Sequence, residues 1–259
     1  MANFVPISRE RHGNKKWRRP DAYGFAATLA LAPVVGMELG SIGLSIPLAF
    51  VEQAGRHLLV AVLSLGTGRN MFVGPSGQWL GPYIPAVFRA YPFQVLPRPG
   101  SEEGVMCVDE DSGLIVEHDS VGETFFDEAG QVAPALQAPM QLCSQLERSR
   151  RLTENAVAAL SAAGVIRPWQ IRVKGKEGDR EIAGLHQTDE AALNALDDGA
   201  FLNLRRKSAL PIAYTQILSA GNLGVFERLA QVQSQLAPRA LPESLNVAFG
   251  VEDDGMIHF

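Results

Sequence analysis

Cysteine is scarce in this chain of 259 residues: Cys107 and Cys143 are its only two, and they form no CxxC pair. A disulfide scaffold is excluded on that count, and a reduced cytoplasm is the expected compartment. Histidine is thin as well. His12, His57, His118, His186 and His258 show no HxxxH or HxH spacing, so any metal site would have to assemble across the fold. Long apolar runs are also lacking. The stretches 22–37 and 39–51 fall short of the roughly 20 residues that a membrane-spanning helix needs. Glu38 separates them, and Pro33, Gly36, Gly40, Gly43 and Pro47 interrupt them. A basic start followed by the apolar run 25–37 and Ala30-Leu31-Ala32 has the outline of an export signal, but Asp21 stands where such signals avoid acid. Buried strands or loops are expected there and no transmembrane span, with export or membrane association as the alternative to a cytoplasmic location.

Most chemistry-bearing motifs are missing too. No glycine-rich loop ends in Gly-Lys-Ser/Thr, and no GxSxG elbow occurs. Gly66-Thr67-Gly68 follows an apolar run but lacks the third glycine of a dinucleotide fingerprint. Asp109-Glu110-Asp111-Ser112-Gly113 has carboxylates where a calcium loop begins, yet Ser120 stands where a bidentate glutamate is required, so it reads as a solvated acidic turn. No cofactor and no metal centre are expected, and no nucleophile is recognisable. Cys107 sits among apolar residues and reads as an inert core thiol.

Charge is uneven rather than absent. The net charge of −5 disfavours bulk nucleic-acid binding. Six cations (Arg9, Arg11, Lys15, Lys16, Arg18 and Arg19) crowd the start, whereas the stretch 101–130 has ten acidic residues and no lysine or arginine. The organisation that follows is a basic N-terminal arm over 1–20, too poor in aliphatic residues for an ordered core element, then a β-rich part over 21–134 and a helix-rich part over 135–259.

Periodicity predicts an α+β fold, with mixed or antiparallel strands in the first half and a helix-rich second half containing a hairpin. HLLVAVLSL over 57–65 reads as a buried strand, and strands are expected at 70–73, 104–108, 114–117 and 123–126. A helix over 139–151 would put Met140, Leu142, Cys143 and Leu146 on one face. Thr153 is the expected cap of a second helix that stops at Gly164, and Thr188 the cap of a short one ending near Leu196. A hairpin is expected over 169–185, helices over 208–219 and 222–236, the latter capped by Asn222, and a terminal hairpin over 245–249 and 256–259.

Residues 70–93 draw the most attention. Phe72, Trp79, Tyr83, Phe88, Tyr91 and Phe93 surround the single cation Arg89, with prolines and glycines fixing an ordered loop. Aromatics around one guanidinium can line a pocket for an anionic or planar ligand; they can equally cover a core while the arginine serves backbone carbonyls. Arg89, Trp79, Tyr83, Asn70 and Tyr91 are the candidate ligand-binding residues. Glu38, flanked by apolar residues and glycine, is the candidate acid–base group, because desolvation would raise its pKa; pairing with a buried arginine, Arg89 among them, is the alternative.

The same residues carry a family resemblance. Asn70-Met71-Phe72-Val73, Gly77-Gln78-Trp79, Tyr83-Ile84-Pro85-Ala86 and Arg89-Ala90-Tyr91-Pro92-Phe93 resemble the NxFV, GxW, YIPA and RxYPF signature of the SapC-like family. Glu38 with Ile46-Pro47-Leu48-Ala49-Phe50, the turn Phe126-Asp127-Glu128-Ala129-Gly130, and Gly184-Leu185 with Asp189-Glu190 are similar to further elements of it. The chain departs from the pattern at Gln216, where the family would have histidine, so a mechanism needing an imidazole there is in doubt. The resemblance implies no catalytic residues. It implies association with a surface-layer locus, and with genes for TonB-dependent receptors and flavin-dependent halogenases. A non-catalytic binding or accessory protein of an export or uptake system is the function so implied, its partner a small molecule, a peptide or a protein of that system. The alternatives are an enzyme acting on a peptide or small aromatic metabolite, with Glu38 as acid–base and Arg89 as anion anchor, and a surface-layer structural protein.

Overall fold

The computed structural model describes residues 2–66, 68–98, 104–118, 120–175 and 178–236. The apolar run at 57–65 forms β5 (Arg56–Val62), which pairs antiparallel with β4 (Leu48–Gln53) along its whole length. Ala54 and Gly55 join them with φ of 51° and 74°. Two positive φ values in succession mark the type I′ turn, whose twist matches that of the strands it connects. β3 (Leu31–Pro33) adds beyond β5. On the other side β13 (Leu185–Thr188) and β10 (Ile166–Pro168) extend the sheet to the order β10-β13-β4-β5-β3.

Two smaller sheets lie on the N-terminal side. β1 (Phe4–Pro6), β7 (Gly104–Asp109) and β6 (Phe93–Pro97) form one in the order β1-β7-β6, and β2 (Lys15–Trp17) lies between β8 (Ile115–Glu117) and β9 (Glu123–Thr124) in the other. The basic start is therefore not a coreless arm. Trp17 is 1% exposed and meets Phe93 edge-on at 4.9 Å, and His12, in the short helix α1 (Arg9–His12), is buried against Phe125. The segment orders because its charge finds the acid-only stretch. Glu110 takes Arg11 in a two-pronged bond, with His12 Nε2 at 3.3 Å and Lys15 Nζ at 3.6 Å.

Helix α4 (Pro134–Ala162) is the longest element, 29 residues or about 44 Å at the usual rise. It replaces the two helices expected on either side of Thr153. Nothing between Arg151 and Thr153 breaks a helix, and Glu147, Arg150, Arg151 and Glu154 interlock at three- and four-residue spacings. Gly164, at φ 70°, ends the segment where expected. One core buries Phe50, Leu59, Val60 and Val62 against Val157 and Leu160 from the C-terminal half of α4; a second buries Trp17, Phe93, Val108 and Phe125 against Leu136 and Cys143 from its N-terminal half.

The C-terminal elements close the first core. The expected hairpin is β11 (Ile171–Gly175) with β12 (Gly178–Ile182). Asp189, not Thr188, caps α5 (Glu190–Asn194), because Thr188 is claimed by strand pairing to Ile166. A helix not foreseen, α6 (Asp198–Arg206), follows its own cap at Asp197. α7 (Leu210–Ser219) and α8 (Val225–Leu236) correspond to the two expected helices, but Asn222 does not cap α8: its amide donates to the Gly43 carbonyl at 2.9 Å. Residues 70–73 form no strand, only an isolated bridge between Val73 and Trp79. The terminal hairpin expected over 245–259 lies outside the described residues. Among those described, no helix is long and apolar enough to cross a membrane.

Candidate functional site

The site follows from the two cores. Where they meet, their facing walls leave a cleft of about 1130 Å³. Leu31, Val51, Leu59 and Val60 of the large sheet form one wall, Phe93 and Val95 of β6 a second, and Cys143, Leu146 and Val157 of α4 a third. Most of the lining is apolar. Among the described residues its charged groups are five carboxylates (Glu38, Asp109, Asp111, Glu147 and Glu154) against one guanidinium, Arg150, which is bonded to both Glu147 and Glu154; Arg151, outside the lining, also pairs with Glu147. The cleft thus offers greasy walls with carboxylates in excess along its lining, a setting for an apolar ligand bearing a cation or hydrogen-bond donors.

Glu38 sits on this lining at 4% exposure, carried by a 3-10 turn at Gly36–Glu38 that runs into the short helix α2 (Leu39–Ile42). The turn is pinned to α4: Thr153 Oγ1 accepts from the Gly36 N–H at 2.8 Å while donating to the Ser149 carbonyl, and Ser149 Oγ accepts from Met37 N–H. Its carboxylate then faces α3 (Ala86–Ala90). Oε2 accepts from the Ala86 N–H at 2.8 Å and from the Tyr83 hydroxyl at 3.0 Å, and Oε1 accepts from the Val35 N–H at 3.1 Å. Burial pushes the Glu38 carboxyl above the usual glutamate range, and its three donors and the charge of Arg89 oppose that rise.

The aromatic segment divides at this point. Arg89 is exposed. Its Nη2 donates to the Tyr83 oxygen at 3.0 Å, its Nε to the Ile84 carbonyl at 3.2 Å, and its guanidinium carbon lies 5.5 Å from the centre of the Tyr83 ring. Arg89, Tyr83 and Glu38 are therefore brought together, in that order. Trp79 stacks on Phe72 at 5.3 Å and donates to the Tyr83 carbonyl. Asn70 is fully buried and spends its amide on Ala26 and Phe72 backbone. None of Arg89, Tyr83, Trp79 and Asn70 lines the cleft. Tyr91 does: its ring stacks on Phe25 at 4.0 Å, its hydroxyl donates to Asp109 at 3.0 Å, and burial, with that bond second, pushes its pKa up to about 12.

Sequence reading did not find Thr153, Ser149, Asp109 or the Glu147–Arg150–Glu154 cluster as site residues; only the helical spacing of the last carried any signal. Burial pushes the thiol of Cys143, on the cleft wall, up to about 12 and that of Cys107 upward as well, so both are held as unreactive thiols. One trio of potential metal donors, Glu52, His57 and His186, is assembled among the described residues.

Gln216, the departure from the family pattern, is 1% exposed. The register of β13 on β4, Leu185 to Val51 and His186 to Phe50, would set Thr188 opposite Leu48 two steps further on. The Gln216 side chain occupies that gap, accepting from the Thr188 N–H at 2.7 Å and donating to the Leu48 carbonyl at 3.2 Å. It stands in for a peptide group in the ladder. A neutral imidazole also offers one acceptor and one donor, so a histidine there can meet the same two backbone groups.

Fold and site together define an α+β protein with a largely apolar cleft between two cores, lined by more carboxylates than cations. The chain belongs to the SapC family, whose model matches residues 7–225. No curated protein and no solved structure matches the chain.

Proposed function

We propose that this SapC-family chain is a non-catalytic binding or accessory protein of a surface-layer, export or TonB-linked uptake system, and that its ligand occupies the cleft between α4, the large sheet and β6. The observation that carries this reading is the composition of the lining: extended apolar walls on which carboxylates outnumber cations. Such a surface favours a short peptide or amine with apolar side groups and a positive charge, and disfavours an anion. In this reading Tyr91 contacts the ligand. Arg89, Tyr83 and Trp79 act behind the wall, holding Glu38 and α3 in place, and Asn70 fixes the loop that carries them.

Val87 is exposed on α3 and lines the cleft, so Val87→Trp fills the space without disturbing a core. Calorimetric titration of a lysine-containing leucine- and phenylalanine-rich peptide is expected to show binding to the wild type and loss of it in Val87→Trp. Equal binding by both proteins would remove the cleft from the proposal.

A second reading, an enzyme with Glu38 as acid–base, draws on the position of that carboxyl on the cleft lining and its raised pKa. It requires a turnover whose pH–rate profile moves in Glu38→Gln.

A further inference from the structure

Three neighbouring strands bring two imidazoles and a carboxylate to one face of the large sheet. The tight turn at Ala54-Gly55 sets Glu52 directly opposite His57 in the β4–β5 ladder. β13 adds to the other side of β4 with His186 opposite Phe50, two residues from Glu52 and so on the same face. The two imidazole rings lie 5.0 Å apart at 76°, and one donor atom from each of the three residues lies within 4.8 Å of the others.

The nitrogens of this trio are only partly used. His57 Nδ1 is 3.1 Å from Ser161 Oγ on α4, which orients the ring. His57 Nε2 and His186 Nδ1 are buried, and neither has a hydrogen-bond partner among the described residues. Buried ring nitrogens without partners are unfavourable, and two of them on neighbouring rings, with a carboxylate within reach, share one simple remedy, a common cation.

We propose that Glu52, His57 and His186 bind a divalent first-row transition ion through a carboxylate oxygen, His57 Nε2 and His186 Nδ1, leaving one coordination position open. Bonds of about 2.0–2.1 Å would place neighbouring donors about 3.4 Å apart around a tetrahedral centre. Rotation of the exposed Glu52 side chain and modest closure of the rings supply the difference. Two imidazoles with one carboxylate suit Zn²⁺ and Fe²⁺ alike. Ser161 orients the first ring from behind, as groups outside the ligand set do in metal sites. His57 also belongs to the cleft lining. The site stands independently of what the cleft binds.

Chelator-treated full-length protein is titrated with Zn²⁺ and, anaerobically, with Fe²⁺, and the Co²⁺ form is examined by visible absorption. One equivalent of Zn²⁺ or Fe²⁺ is expected to bind, with Co²⁺ bands of a low-coordinate nitrogen–oxygen centre. His57→Ala, His186→Ala and Glu52→Gln should each weaken binding by at least about tenfold, while His118→Ala leaves it unchanged. Glu52 is exposed, so its variant keeps the test valid if a histidine variant misfolds. The proposal is overturned if no metal binds stoichiometrically, or if Glu52→Gln and the histidine variants bind as the wild type does.

Discussion

Tyr83 donates its hydroxyl to Glu38 Oε2 at 3.0 Å, linking two turns 45 residues apart in the chain. The same oxygen of Tyr83 accepts from Arg89, so a guanidinium at the surface is relayed to a carboxylate on the cleft wall. Glu38 in turn receives the first N–H of α3, and thereby fixes the helix that carries Val87 and Phe88 to the cleft.

Replacing that carboxylate with an amide should therefore destabilise the protein. Glu38→Gln turns an amino group toward donors at Ala86, Val35 or Tyr83, at a cost of about 1–3 kcal/mol. Tyr83→Phe, which removes one donor, should cost about 1 kcal/mol. Denaturant unfolding of both variants measures this. Because Glu38 titrates above its unfolded range, the wild type loses some stability as pH rises from the ordinary glutamate range through the folded value, and Glu38→Gln should lack that slope.

Glu110 has the opposite sign. Hydrogen bonding to Arg11, foremost, holds its pKa down to about 2, so its contribution is present above the unfolded carboxylate range and is lost as pH falls from there toward about 2. Glu110→Gln is expected to flatten that acid limb of the stability curve. It should also loosen the N-terminal segment, read out as faster amide exchange over residues 9–17.

Gln216→Leu leaves the Thr188 N–H and the Leu48 carbonyl without partners inside the core, and should cost about 1–3 kcal/mol in thermal unfolding. Gln216→His should retain most of the stability, since a neutral imidazole presents the same acceptor and donor. A histidine variant as damaging as the leucine one would contradict a structural role for this position.

Ala54 occupies φ 51°, a region that a β-carbon disfavours by roughly 1–2 kcal/mol. Ala54→Asn places the residue preferred in this turn ahead of Gly55 and should raise stability by about 1 kcal/mol, visible in the unfolding midpoint.

Local patterns in the sequence carried much of this fold. The apolar run in 57–65, the glycine at 164 and the turn-flanked runs after Gly104 became β5, the end of α4, and β7 to β9. What was not legible depended on partners distant in the chain. The order of the N-terminal segment rests on Glu110, some hundred residues away, and on burial of a single tryptophan. Thr153 reads as a cap because its hydroxyl suits one; the fold uses that hydroxyl to hold Gly36 instead. Within the aromatic segment, composition placed Arg89 close to Tyr83 but could not say which side of the wall they occupy. Nor could spacing along the chain show that Glu52 and His186 share a face, since β13 reaches β4 only after a crossing of more than a hundred residues.

The central claim is that the cleft, apolar and lined by more carboxylates than cations, selects a cationic apolar ligand. Its most direct test is a thermal-shift comparison of two peptides, each rich in leucine and phenylalanine, one carrying lysine and its twin carrying glutamate, against the wild type and Arg89→Ala. At 100 times its dissociation constant a ligand specific for the folded state adds about 2.7 kcal/mol. The account predicts stabilisation by the lysine peptide in both proteins and none by the glutamate peptide. Stabilisation by the glutamate peptide, lost in Arg89→Ala, would contradict it and make the exposed guanidinium the anchor.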